Sequence, residues 1–325
     1  MKIISCKSLL VSITMGFMSL PSYAADEPKQ KQPEVAKPKD EFTIVTSRDE
    51  KTVPKIVSGP WNGPRLPDGQ PDVAGYWSNT IGFHFNLTDP QGINIGPPRS
   101  RRELGPRESR APSRVSDPAN GQVPFQPWAQ AKVLDFQEHF DNPSKPQYVD
   151  TMARCAPAGV PKSIYWHGYE ILQYPGYVLF YFDSGTRIIY LDGRPHLPSN
   201  VKLWNGDSRG HWEGNTLVVD VDNHNGKASL AATGEFISEN NHIVEKYIFA
   251  EGGQRFNYEA VLTDPTVYTR PFTITVPARK WTEKDKPGGP QFKVTFAKHA
   301  GKERIIESEE RTCVENNEGH GGVAL

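Results

Sequence analysis

From residue 169 onward, hydrophobic and polar side chains alternate with the two-residue period of β-strands. The alternation predicts strands over 169–183, 186–192, 208–222, 242–250, 255–263, 271–277, 291–298 and 303–312. Short turns separate them, among them Asp183-Ser184-Gly185-Thr186 and Gly252-Gly253. Successive hairpins without intervening helices imply an antiparallel meander, so the expected fold is mainly β, a barrel or curled sheet with long irregular loops. One helix is predicted, over 127–140, with Pro127 in its first turn and Trp128, Val133, Leu134 and Phe136 in partial helical period. In 177–191 both faces are largely apolar: Tyr177, Leu179, Tyr181, Ile188 and Tyr190 on one, Val178, Phe180, Phe182, Ile189 and Leu191 on the other. That hairpin is expected to be covered on both sides.

The stretch 206–222 is the most polarised of these segments. Gly214-Asn215 supplies a two-residue turn, and with Glu213 and Thr216 flanking it the alternation sorts the remaining side chains. One face carries Asp207, Arg209, His211, Glu213, Asp220 and Asp222, with Arg209 opposite Asp220. The other carries Ser208, Trp212, Leu217, Val219 and Val221. Such a charged row is either a solvated sheet face or the wall of a polar cavity, and the expectation is that it faces a cavity or its rim.

The chain opens as a secretory leader over residues 1–24. Lys2 and Lys7 precede an apolar run from Ser8 to Leu20, and Ser22-Tyr23-Ala24 places small residues at a cleavage site. The run is too short to span a bilayer, and no later segment reaches about 18 apolar residues, so no transmembrane segment is expected. A periplasmic or secreted location follows. Residues 25–57 are rich in Lys, Pro, Glu and Asp, a composition that buries too little to offset ordering entropy, and are read as a tether. A single β-rich domain over 58–318 and a flexible tail over 319–325 complete the organisation.

Thirty-seven Lys and Arg face 38 Asp and Glu, a balance that argues against a nucleic-acid binder. A basic loop over 96–125 holds Arg99, Arg101, Arg102, Arg107, Arg110 and Arg114. It is read as solvated, with contact to an anionic envelope polymer as the functional alternative. After leader removal two cysteines remain, Cys155 and Cys313. In an oxidising compartment such a pair is expected to form a disulfide closing a long loop, worth up to about 5 kcal/mol; two separate buried thiols are the alternative.

Several segments resemble a large, mostly uncharacterised family of secreted bacterial proteins. They are Arg65-Leu66-Pro67-Asp68-Gly69-Gln70-Pro71-Asp72-Val73-Ala74-Gly75-Tyr76-Trp77, Arg154-Cys155-Ala156-Pro157-Ala158-Gly159-Val160-Pro161, and Tyr190-Leu191-Asp192-Gly193-Arg194-Pro195-His196. Gly206-Asp207-Ser208, Trp212 through Asp220, Asp264-Pro265 with Tyr268-Thr269-Arg270-Pro271, and Cys313-Val314-Glu315-Asn316-Asn317 belong to the same set. The resemblance implies architecture and no established activity. Asn215 stands where such relatives usually carry Asp. Gly75-Tyr76-Trp77 is also similar to the opening strand of lipocalin-type barrels, where a Trp plugs one end, which would make the fold lipocalin-like.

The chemistry-bearing residues divide into several candidates. Glu245 shares a face with Ile243, Tyr247 and Phe249, and a carboxylate on an apolar face must be ion-paired or have a raised pKa. It is therefore either a tuned general acid or base or half of a structural pair with an arginine. His196, His211 and His167 are candidate acid–base histidines, and Tyr190 joins Glu245, His196 and His211 as a catalytic candidate. Arg194 and Arg209 would orient an anionic group, with Asp207 and Asp220 as further polar contacts. Trp166, Trp204 and Trp212 would stack on a sugar or flat ligand, or pack in the core.

Gly206-Asp207-Ser208-Arg209-Gly210 fits the nucleophile-elbow pattern, but a β-hairpin follows where that elbow needs a helix. Asp220 to Gly226 fails the EF-hand register, no spacing supports zinc, and no cofactor motif is read. The functional expectation is a small-ligand cavity. It would serve an acid–base enzyme of lyase, isomerase or hydrolase type on a small or saccharide substrate, or a non-catalytic lipocalin-like binding protein. A serine hydrolase using Ser208 and an envelope scaffold are the remaining alternatives.

Overall fold

The computed structural model describes residues 60–79, 86–89, 112–140, 143–166, 168–182 and 185–280. The leader, the tether, most of the basic loop, the strands expected at 291–298 and 303–312, Cys313 and the tail lie outside them. Ten strands are described: β1 (Gly75–Asn79), β2 (Val115–Asp117), β3 (Tyr169–Tyr174), β4 (Tyr177–Phe182), β5 (Gly185–Tyr190), β6 (Asp207–Glu213), β7 (Thr216–Asp222), β8 (His242–Ala250), β9 (Arg255–Thr263) and β10 (Phe272–Lys280). They are joined by helices α1 (Pro127–Glu138) and α2 (Lys162–Trp166). α1 is the predicted helix; α2 is a single short turn that the alternation does not announce. Among the described residues, no helix is long and apolar enough to cross a membrane.

The strands run β1-β3-β4-β5-β6-β7-β8-β9-β10 in hydrogen-bonded order, and β1 pairs back onto β10 to close a barrel. β10 is long enough to share its free edge. Its Lys280 end pairs with β1, and Thr273 and Ile274 pair with β2. Closure leaves few unpaired edge groups. The mainly β barrel expected from the alternation, lipocalin-like as the Gly75-Tyr76-Trp77 resemblance implies, is thus the fold, with two amendments. The predicted strand 169–183 is two strands, because Pro175 and Gly176, the latter at φ 81°, turn the chain between Tyr174 and Tyr177. The sheet is also mixed rather than purely antiparallel: β5 and β6 run parallel through Ile189 with Ser208 and Tyr190 with Arg209. The connection 191–206 carries Pro195 and Pro198, which cannot donate to a ladder, so it leaves the sheet and crosses back. That crossover builds the candidate site.

The hairpin β6–β7 adopts the register its turn predicts, with Glu213 opposite Thr216 and Arg209 opposite Asp220. Gly214 has φ 65°, a conformation suited to glycine. Asn215 donates its side-chain amide to the Phe249 carbonyl, a bond an ionised Asp lacks the proton to make.

Inward side chains fill the barrel with rings. Trp77 is fully buried, donates Nε1–H to the Val73 carbonyl at 3.0 Å, and packs edge-on to Phe249 and tilted on Phe256. Phe180 and Tyr258 flank Tyr247 at 5.2 and 5.1 Å. The outward face of β4–β5 is only half covered by the described residues, and Ile188 is 39% exposed. The expected double-sided cover is therefore absent among them. One end of the barrel is capped by α2 and by the 223–238 connection, whose Leu230, Ala231 and Ala232 are fully buried. Gly159 fits against Ala228 there, where an added Cβ would lie 2.3 Å from the Ala228 methyl. Arg114, expected in a solvated loop, is instead fully buried. Its backbone takes the Leu87 carbonyl at 2.7 Å and accepts from Thr275 N–H at 2.8 Å.

Candidate functional site

The crossover brings together residues that the sequence separates. Tyr190 ends β5, Arg194 and His196 lie on the crossover, and Asp207, Arg209 and Asp220 lie on the outward face of β6–β7. His196 sits between two carboxylates, Nδ1 3.0 Å from Asp207 Oδ2 and Nε2 2.8 Å from Asp220 Oδ1. The second oxygen of Asp220 faces His242 Nε2 at 2.8 Å. Asp207 is buried, and it also accepts from Leu197 N–H at 2.8 Å and from Arg209 Nη1 at 2.6 Å. Arg209 further donates Nε–H to the Pro195 carbonyl, and Asn223 Nδ2 donates to the Leu197 carbonyl. The crossover is thereby pinned to the hairpin from both sides.

Two carboxylates facing one imidazole complete their contacts only when both ring nitrogens carry protons. Asp220 is shared by two histidines, so His196, Asp220 and His242 form a continuous run of hydrogen-bonding groups. His196 is 28% exposed on its side chain and Asp220 46%, so the run opens to solvent while Asp207 anchors it from beneath. Beside it the Tyr190 ring lies under two guanidinium groups, Arg194 at 4.1 Å and Arg209 at 5.2 Å. Arg194 chelates Asp192, whose carboxyl is held below its usual range by those hydrogen bonds while the guanidinium is held above its own.

The charged face of the hairpin is therefore not the wall of the barrel interior. Leu217, Val219 and Val221 point inward and are fully buried, and period-two alternation puts the charged row outside. Arg209 and Asp220 are cross-strand neighbours in register, yet Arg209 pairs with Asp207 and Asp220 with the two histidines. His211 is remote from the cluster in contact terms, pairing with Glu213 in an exposed arrangement. Trp212 packs on Phe249 and donates Nε1–H to Gln70 Oε1 at 2.9 Å, and Trp204 packs against the core. Neither tryptophan is a stacking platform in this cluster. The Trp166 side chain and His167 lie outside the described residues.

Glu245 lies on the other face of the sheet, in the barrel interior. Arg187 Nη1 donates to Oε1 at 3.1 Å, Arg187 Nη2 donates to Oε2, and Tyr258 donates to Oε1 at 2.6 Å. The Arg187 Nε–H goes to Ser208 Oγ at 3.0 Å. Burial opposes the Arg187 charge, but the Glu245 carboxylate outweighs it and holds the guanidinium above its ordinary range. Burial, reinforced by Glu245, pushes the Tyr247 and Tyr258 hydroxyls well above theirs. A carboxylate saturated in this way is half of a structural ion pair, not a poised general base. Ser208 accepts from Arg187 on the inner face, across the sheet from His196, so among the described residues it joins no Ser–His–Asp arrangement.

Sequence reasoning passed over several buried polar groups. His224 is fully buried with neither ring nitrogen partnered among the described residues, and burial followed by the Arg187 charge lowers its pKa to about 4. Among the described residues, the buried Asn241 side chain has no hydrogen-bond partner and the Tyr169 hydroxyl finds none. In the cap, Lys162 donates to Asp150 at 2.6 Å and to Ser229 at 3.0 Å. Ser229 Oγ in turn donates to Asp150 Oδ2 at 3.0 Å, so the three side chains close a buried ring of hydrogen bonds. Among the described residues, no group of three or more His, Cys, Asp or Glu side chains is arranged to hold a metal ion.

Compared with protein-family models, with curated proteins and with solved structures, the chain gives no match in any of the three. The functional reading therefore rests on geometry and chemistry.

Proposed function

We propose that the protein is an exported enzyme of general acid–base type that acts on a small anionic or saccharide substrate at the outer face of the barrel. His196 is the proton-transfer group. The observation that carries this reading is the placement of its imidazole between a buried carboxylate and a half-exposed one. Asp207, held by Arg209 and Leu197 N–H, fixes the ring and its Nδ1 proton, leaving Nε2 as the exchanging nitrogen. Asp220 and His242 take up or return that proton. Arg194, solvent-facing above Tyr190, meets an anionic or hydroxylated group of the substrate.

A non-catalytic binding protein using the same face is the second reading. It is favoured by the saturation of Asp220, whose two oxygens are both engaged. Screening by NMR against anionic and saccharide libraries separates the two. Turnover lost in His196→Gln with binding retained supports the enzyme, and binding without turnover in the parent supports the binder. If no compound is converted or shifts resonances of His196 and Tyr190, both readings fail.

Export belongs to the same proposal. It is supported by the leader pattern of residues 1–24 and by the two thiols of the mature chain. The Cys155–Cys313 pairing is tested by intact mass after alkylation; uptake of two alkyl groups without reductant overturns it.

A further inference from the structure

A second polar concavity lies outside the barrel, between α1, the 86–89 turn and the 229–236 connection. It encloses about 80 Å³, with Glu235 among its lining residues and Gln122, Gln130, Gln137, Asn86 and Phe125 around it. The connection is locked in place by local structure. Ser229 and Phe236 bridge, Leu230 N–H donates to the Glu235 carbonyl at 2.7 Å, and Gly234, at φ 93°, lies so close to Phe136 that a Cβ would sit 2.6 Å from the ring. Glu235 is thereby held with 4% exposure.

Among the described residues, its hydrogen bonds come from neutral donors only. Oε2 accepts from Thr233 Oγ1 at 2.6 Å, Oε1 lies 3.5 Å from Leu87 N–H, and the Glu235 backbone N–H also turns toward the carboxylate. A carboxylate offers about four acceptor sites. No cationic side chain pairs with it among the described residues: Lys162 acts on it from a distance but is committed to Asp150, and Lys132 lies over the Phe236 ring at 3.8 Å. Burial accordingly pushes the Glu235 carboxyl above its usual range. The described lining holds no Lys, Arg or His. Gln137 uses its amide N–H on the Thr233 carbonyl, which leaves its Oε1 as an acceptor.

We propose that this pocket is a binding site, separate from the His196 cluster, for a small organic cation of amidinium or guanidinium type. The lining offers one buried carboxyl group, which a bound cation would hold ionised, and several amide oxygens, and such an ion supplies the complement: a delocalised positive charge with several N–H donors in a plane. A bound cation would bridge the Glu235 carboxylate and the glutamine oxygens, with Phe125 beside its face. The volume admits an ion of a few heavy atoms.

The test titrates acetamidinium into the folded protein and follows the side-chain amide resonances of Gln122, Gln130 and Gln137. Acetamide serves as the neutral probe of the same shape. Saturable shifts are expected with acetamidinium, and about tenfold weaker or no binding with acetamide, because charge-assisted hydrogen bonds are roughly twice as strong as neutral ones. Glu235→Gln, nearly isosteric and still able to accept from Thr233, should weaken acetamidinium binding by about tenfold or more. Gln130→Glu, on the exposed side of α1, does not depend on a buried change and should tighten it by about threefold. Absence of saturable shifts below denaturing concentrations overturns the proposal. So does equal binding of acetamide, or equal affinity in Glu235→Gln and the parent.

Discussion

Arg187 and Glu245, 58 residues apart in the chain, form a two-pronged ion pair at the centre of the barrel. Tyr247, Tyr258 and Ser208 satisfy what the pair leaves over. The pair is sealed, with 1% and 0% side-chain exposure. It joins β5 to β8 across the interior, so its energetics are those of a buried pair, in which removing one partner strands the other.

Single truncations, Arg187→Ala or Glu245→Ala, should therefore each destabilise the fold by about 3–5 kcal/mol. The apolar double variant Arg187→Met, Glu245→Leu should lose less than the two singles added. Denaturant unfolding of the three variants decides this. Independent, additive losses would mean that the two charges are not coupled.

His224 makes stability depend on acidity. Its folded-state pKa of about 4 lies below the ordinary 6.5 because burial opposes its charge. Between those values the unfolded chain carries a proton that the native state does not, so stability rises with pH across that window. It is fully present above about pH 6.5 and falls by about 3 kcal/mol as pH drops to about 4, at about 1.4 kcal/mol per pH unit. His224→Gln should flatten this slope relative to the parent. Urea unfolding of both proteins at several pH values across the window measures it, and parallel profiles would remove His224 as the cause.

The crossover clamp predicts an order of effects. Asp207, buried and taking three donors, should cost about 1.5–3 kcal/mol when changed to Asn, because hydrogen bonds to a charged group are lost. Asp220, half exposed, should cost about 1 kcal/mol or less. Arg209 and Asp220 face each other in register but do not pair, so a double-mutant cycle between them should give only the coupling relayed through Asp207 and His196, about 0.5–1 kcal/mol. A coupling above about 1 kcal/mol would restore the direct pair that the register alone suggests.

Gly234 should not tolerate a side chain. Its φ of 93° and the 2.6 Å approach to Phe136 impose backbone strain and a steric clash together. Gly234→Ala is expected to lose about 1–3 kcal/mol, seen as a lowered Tm. An unchanged Tm would show that the 229–236 connection yields freely, and the aim of Glu235 with it.

Much of the frame is legible in the order of residues. Period-two alternation gives β4 to β9 nearly residue for residue, and Gly214-Asn215 sets the register of β6–β7, because alternation and turn chemistry are local properties. The same logic marked Glu245 as inward. Applied to Gly185-Thr186-Arg187-Ile188-Ile189 it places Arg187 on the face of Ile189, and so its partner was within reach of the sequence. What the chain order could not convey is which faces meet. The alternation sorts the charged hairpin face from the apolar one, but only barrel closure decides that the charged one is outside. Only the parallel return of the crossover, from Leu191 to Gly206, lays His196 over Asp207 and Asp220. The burial of His224, Lys162, Asp150 and Glu235 depends on how the 223–238 connection folds over the barrel end. Irregular segments carry no period, and their side chains acquire surroundings only when distant parts of the chain pack against them.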